Sequence, residues 1–274
     1  SISWAFNDYQ QVTTMKFLIQ HNLMNEEQLL KVKDAVAPFP HEFIGLIPFS
    51  REITSQEPLI GEDYIPYGST LLTSLGLNYK WKGLHFNLEN FSMKKAYENR
   101  SDLLNQDKVM TVFEAEQYLR GEKGDVFIRP DLDLKHFSGQ VIDCIECANW
   151  LKDAMSLPPE SGSYAMDPSM NVIIAEPVNI DAEWRYFIVD GKIVSGSMYR
   201  RGKQLYKKRE LDQEVLAEAQ TFADSWLPAQ CCVMDLALAN DEVKVIEFNC
   251  INASGFYDND VNVIFAALWE YHTK

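Results

Sequence analysis

One stretch constrains this chain more than any other: residues 233–258, VMDLALANDEVKVIEFNCINASGFYD. It predicts two strands joined by a tight polar turn, then a polar loop. Asp235 lies within the first strand, Glu247 near the end of the second, and Asn249 two residues further on. Period-2 geometry puts Asn249 on the face of Glu247. Asp235 and Glu247 are equidistant from Asp241. A three-residue connection over Asn240–Glu242 therefore sets them directly opposite each other, with Cβ atoms about 5 Å apart. A two-residue connection sends them to opposite faces and removes the pair. Two carboxylates that close repel, and a divalent cation relieves the repulsion. Two carboxylates and an amide oxygen make a hard oxygen site suited to Mg²⁺ that carries nucleotide phosphates. The plainer alternative is a hairpin with solvated acids on one face.

The rest of the chain bounds this reading. At 274 residues it can bury a sizeable core and hold two or three lobes. No apolar run approaches the roughly 20 residues of a membrane helix, and SISWAFNDYQQ lacks the basic-then-apolar order of a signal peptide. The net charge of −15 argues against non-specific nucleic-acid binding, which needs cations to neutralise phosphates. Five cysteines, an odd number in a chain that needs no staples, predict reduced thiols and a cytoplasmic location. Cys144 and Cys147 have metal-ligand spacing, but no second such pair accompanies them, so they are expected in the core of a helix.

Three units are expected: an α/β lobe over 1–92, then 93–178 and 179–274, with 93–110 as a polar link. In the first, helical spacing is read over Gln10–Leu23, a buried strand over Phe43–Phe49, a helix after Ser69 and a strand over Lys80–Asn87. Beyond the link, helices are expected over 111–119, 142–155, 211–226 and 261–272. Strands are expected over 125–129 and 171–176, and Asp190-Gly191 predicts a hairpin of 183–189 with 192–199.

Three further features fall in order. Arg129 ends a strand, and Lys135, Ser138 and Gly139 follow in a loop suited to clamping phosphates, or merely solvated. The apolar strand NVIIAE ends in Glu176-Pro177-Val178, where backbone groups and a carboxylate can meet an adenine edge. Glu183 and Arg185 precede YRRGKQLYKKRE (199–210), which concentrates six cations in an acidic chain and reads as anion capture or as a charge-protected strand edge.

This order resembles the ATP-grasp superfamily, and most closely a bacterial and phage branch in which arginine replaces the usual second ATP-binding lysine and a lysine sits further along the loop. Here those residues are Arg129 and Lys135 in FIRPDLDLKHFSG. The resemblance covers about 93–274 and, through IPYGST, more loosely the first lobe. It implies an α+β fold, with two α+β subdomains holding ATP between them behind the α/β N-terminal lobe. It implies that Arg129 and Lys135 contact phosphates, that Glu176 and Val178 meet adenine, and that Asp235, Glu247 and Asn249 hold Mg²⁺. Arg185 and Arg200 are then expected at the γ-phosphate or the substrate carboxylate, and the loop 252–258 over the reaction centre. No motif fixes the first ATP lysine; Lys108 is the best candidate. Asp181 and Glu183 compete for the ribose. The implied reaction joins a small-molecule or peptide carboxylate to an amine through an acyl phosphate. A non-catalytic nucleotide-binding module and a small-molecule kinase use the same residues.

Overall fold

The computed structural model describes residues 15–47, 63–132, 136–202, 204–208 and 213–274. It carries three sheets. The first is parallel, in the order β2-β1-β3, from β1 (Lys16–Gln20), β2 (His41–Ile44) and β3 (Tyr64–Tyr67). Helix α1 (Glu26–Val36) joins β1 to β2, and α2 (Thr70–Tyr79) follows β3. The helical spacing read over Gln10–Leu23 is overturned where the chain is described, since Lys16–Gln20 is a strand. Phe17 and Ile19 enter one core and Leu18 another. A strand buried on both faces is apolar without alternation, and short runs of that kind look alike in helix and strand.

Of the run Phe43–Phe49, only Phe43 and Ile44 are in β2; residues 48 and 49 lie outside the described set. Ser69 caps α2 as expected. The expected strand over Lys80–Asn87 is a loop. Lys80 ends α2 in the left-handed conformation (φ 56°), and Gly83 then lies against β3, its N–H donating to Tyr64 O at 2.9 Å. A Cβ at Gly83 would fall 2.3 Å from that carbonyl oxygen, so the close approach requires glycine.

The expected link 93–110 contains α3 (Met93–Asn99), capped by Ser92. Met93, Ala96 and Leu103 join the core under the C-terminal sheet. The second sheet is antiparallel, ordered β4-β7-β5-β6, from β4 (Lys108–Thr111), β5 (Asp125–Pro130), β6 (Gln140–Asp143) and β7 (Asn171–Ala175). Helices α4 (Val112–Arg120) and α5 (Cys144–Ser156) cover one face, and Cys144 and Cys147 sit in that core as expected. Thr111 and Glu114 close a reciprocal capping box at the start of α4.

The third sheet, ordered β10-β9-β8-β11-β12, is antiparallel throughout. Its strands are β8 (Ala182–Val189), β9 (Lys192–Arg201), β10 (Gln204–Lys208), β11 (Cys232–Ala239) and β12 (Glu242–Asn249). With it go α6 (Gln213–Ser225) and α7 (Val261–Thr273). The even residues of β8 and β11, among them Trp184, Tyr186, Met234 and Leu236, share a core with α6 and α3. The odd face is divided along its length. Phe187, Val189 and Val233 pack with α7, α1 and β1. Glu183, Arg185 and Asp235 continue the same face beyond that cover, toward the second sheet.

Candidate active site

Two irregularities in the third sheet build the site. The connection of β11 to β12 is not the expected three-residue turn. Ala239 pairs with Glu242 across a two-residue turn in which Asn240 (φ 52°) and Asp241 (φ 59°) are both left-handed, as a type I′ hairpin requires. That register alone would set Asp235 opposite Ile246. A bulge between Asp235 and Leu236 slips the pairing by one, so Leu236 faces Val245 while Asp235 faces Glu247. The expected juxtaposition is met by a different route, with Ile246 as the extra residue. Its effect is visible in the packing. Val243 and Val245 point into the core beneath the sheet, Phe248 returns there, and Ile246, Glu247 and Asn249 line the opposite side. A second bulge on β9 pairs Glu183 with Arg200 and Trp184 with Met198, leaving Tyr199 as the extra residue, and Tyr199 and Arg200 both line the same cleft.

The cleft holds about 520 Å³. Its floor is β8, β11 and β12; its roof is the end of β5 and residues 137–139. Arg185 donates from Nε and Nη2 to Asp235 Oδ1 and Oδ2 at 2.9 and 2.8 Å, and from Nη1 to Gly255 O at 3.0 Å. Its guanidinium lies 4.9 Å from the centroid of Tyr257, whose ring stacks on Tyr199 at 4.4 Å. From the roof, Arg129 Nη2 reaches Glu247 Oε2 at 2.9 Å. Arg200 Nε lies 2.8 Å from Glu183 Oε2. Three acids on one sheet face are thus each matched by an arginine.

The electrostatics follow from burial. Desolvation raises the Asp235 carboxyl; Arg185 opposes the rise and Glu247 adds to it. Glu247 meets the same desolvation, but Arg129 and Arg185 outweigh it and hold the carboxyl below its usual range. Desolvation also raises Glu183, with Arg200 opposing. Asn249 Nδ2 lies 3.4 Å from Asp235 Oδ2 and 3.3 Å from Glu247 Oε1. A half-turn of that amide offers its oxygen at the same point, so two carboxylates and an amide converge as a hard-donor set that fits Mg²⁺. No group of three or more His, Cys, Asp or Glu able to hold a metal occurs among the described residues, and the set leaves room for phosphate oxygens and water as further ligands.

An adjoining cavity of about 290 Å³ is lined by Glu176, Val178, Asn240 and Lys244, and it shares Asn105 with the main cleft. Glu176 and Val178 therefore sit beside the cleft. Lys108 does not. Its partner across the sheet, Ile174, faces the helices, and Lys108 Nζ lies 3.2 Å from Asp107 Oδ1 and 5.7 Å from the Tyr118 centroid on α4. The expectation of a phosphate contact there is corrected by register: alternate residues of β4 face opposite sides, and Lys108 falls on the helix side. Lys135 lies outside the described residues.

In the loop expected over the reaction centre, Ser254, Gly255 and Tyr257 do border the cleft or its arginine. Asn252 instead fastens this loop to the first lobe. It donates to Pro66 O and Gly83 O at 2.7 and 2.9 Å and accepts from His85 N at 2.8 Å. Sequence reasoning missed Asn105 and gave Tyr199 no role. The phase break V-x-V-x-x-F over 243–248 is the signal that marks the bulge.

A family model for an ATP-grasp domain, the second family of its clade, matches residues 108–267. No curated protein sequence matches the chain. Among solved structures, a RimK-domain ATP-grasp protein from Sphaerobacter thermophilus is similar at 11% identity and TM-score 0.59, covering 93% of this chain and 99% of its own. D-cycloserine synthetase DcsG is similar at 12% identity and TM-score 0.58, covering 95% of this chain and 100% of its own. D-alanyl-alanine synthetase A from Vibrio cholerae is similar at 12% identity and TM-score 0.53, covering 96% of this chain and 94% of its own. At these identities the likeness concerns the fold.

Proposed function

This chain belongs to that ATP-grasp domain family, and on that premise we propose that it is an ATP-dependent ligase that joins a carboxylate to an amine. The observation that carries the reading is the set Asp235, Glu247 and Asn249 on one sheet face, with Arg129 across the cleft. A dead module has no need to hold two facing carboxylates. The names of the structural neighbours, two of them synthetases, are in keeping with it.

In this reading adenine occupies the cavity beside Glu176 and Val178, and the phosphates lie in the main cleft. Asp235, Glu247 and Asn249 would hold Mg²⁺, which when bound neutralises phosphate charge. Arg129 would take the place of the second ATP lysine of most of the superfamily, and Lys135 follows it six residues on in the sequence. The γ-phosphoryl passes to the substrate carboxylate, the amine attacks the acyl phosphate, and ADP and phosphate leave. The protein supplies position and electrostatic stabilisation rather than a nucleophile. Arg200, half-exposed and ion-paired among the described residues through its Nε, offers its outer amino groups to the carboxylate or the transferring group. Arg185 holds Asp235 and the 252–258 loop in place. Five free, buried cysteines suit a reducing compartment, and we place the protein in the cytoplasm. No described helix is long and apolar enough to cross a membrane.

The test is ADP release from Mg-ATP with amino acids, short peptides and polyamines as co-substrates. One or more of them stimulates release in the wild type. Asp235→Asn and Glu247→Gln, each first established as folded by thermal unfolding, lose at least about 10²–10³ of the stimulated rate. Wild-type rates in both variants would remove the metal assignment.

A further inference from the structure

Asn105 carries three unusual properties at once. It is a non-glycine residue in the left-handed region, with φ 56°. Its side-chain Oδ1 is buried without a hydrogen-bond partner among the described residues. It also lines both the main cleft and the adjoining cavity. Its backbone is held from both sides. Leu103 bridges to Val245, Leu104 N donates to Val245 O at 2.7 Å, and Tyr97 Oη donates to Asn105 O at 3.2 Å. Left-handed backbone at a non-glycine residue is uncommon and gathers at ligand-binding positions, although asparagine tolerates it better than most. A buried amide oxygen without a donor is costly, and such groups in folded proteins call for an explanation.

We infer that Asn105 is the ribose reader of the nucleotide site, its side-chain amide hydrogen-bonding a sugar hydroxyl. The inference rests on the nucleotide reading given above. Adenine in the cavity beside Glu176 and phosphates over Asp235 and Glu247 leave the sugar at the boundary the two cavities share, and Asn105 is the residue common to both linings. The chemistry favours the sugar over the phosphates. Phosphate oxygens only accept, so they cannot satisfy a buried carbonyl oxygen. A ribose hydroxyl both donates and accepts, and so meets whichever end of the amide faces it. Of the acids expected at the ribose, Glu183 lines the main cleft but not the adjoining cavity, its Oε2 lying 2.8 Å from Arg200 Nε in an ion pair without a hydrogen bond, and Asp181 is exposed and lines neither cavity.

The test is calorimetric titration of the full chain, with Mg²⁺ present, using ATP, 2′-deoxy-ATP and 3′-deoxy-ATP. The comparison variant is Asn105→Gly, which keeps the backbone conformation and deletes the amide. Thermal unfolding establishes that the variant is folded. The wild type binds ATP about tenfold more tightly than at least one deoxy analogue, the size of one net hydrogen bond with a buried partner. In Asn105→Gly that ratio falls to near one, through a loss of ATP affinity rather than a gain by the analogue. A wild type indifferent to both hydroxyls, or a variant that keeps the full ratio, overturns the assignment while leaving the nucleotide site standing. A wild type that binds none of the three removes the nucleotide reading itself, and the ribose assignment with it.

Discussion

Replacing Arg185 with methionine separates an ion pair that the fold depends on from one that merely decorates it. The Arg185 and Asp235 side chains retain 12% and 2% of their exposure, and two hydrogen bonds of 2.9 and 2.8 Å join them. Methionine fills much of the volume and leaves Asp235 buried beside Glu247 with no cation of its own. Breaking a buried pair from one side costs about 3–5 kcal/mol, a large part of a typical total stability of about 5–15 kcal/mol. The loss depends on pH in a definite direction. Burial already raises the Asp235 carboxyl, and Arg185 is the chief opposing influence, so its removal raises the carboxyl further. An acid whose folded pKa exceeds its unfolded value binds more protons when folded. The variant's deficit is therefore full above the folded pKa and shrinks as pH falls through it. Urea unfolding between pH 5 and 8 measures both the size and the slope. Adding Asp235→Asn to Arg185→Met removes the stranded charge and recovers about 2 kcal/mol of the loss at pH 8, a coupling expected of directly paired groups. A single-variant loss below about 1 kcal/mol, or one that is flat with pH, would refute the argument.

Two further outcomes follow from contacts outside the cleft. His85 lies 2.7 Å from His272 through their Nε2 atoms, and burial first, then His272, lowers its pKa to about 3. The unfolded chain takes up the proton near pH 6.5, so the folded form loses stability as pH falls below that value, by about 2 kcal/mol at pH 5; His85→Phe should flatten the pH 7-to-5 slope of urea midpoints. Asn252→Ala strands Pro66 O, Gly83 O and His85 N, and should cost about 3 kcal/mol or more in equilibrium unfolding.

Much of the candidate site is legible in linear order because strands impose local rules. Asp190-Gly191 announces its hairpin, and the left-handed Asp190 (φ 54°) and Gly191 (φ 73°) meet the demand of that turn. Glu247 and Asn249 share a face by period two. Ser69 caps its helix by chemistry confined to a few residues. What stayed hidden depends on partners distant in the chain. The apolar run at β1 became a strand because β2 and β3 flank it and cores lie on both its faces. Lys108 turned toward α4 because its register against β7 sets its side, and nothing within KVMT records that register.

The 233–258 stretch itself divides along the same line. From the sequence alone came two strands, a polar turn and three oxygen-bearing side chains at spacings that suit a hard cation. Whether the acids would meet did not follow, since the two-residue turn taken alone separates them. The tertiary structure decided it. The core under the sheet takes Val243, Val245 and Phe248, and that choice forces one extra residue into β12 between the last two. The extra residue moves Glu247 onto the face of Asp235, while Arg129, brought from another sheet, holds it there. Alternation is a property of the backbone and can be read locally; the phase of alternation is set by what the opposite face must bury.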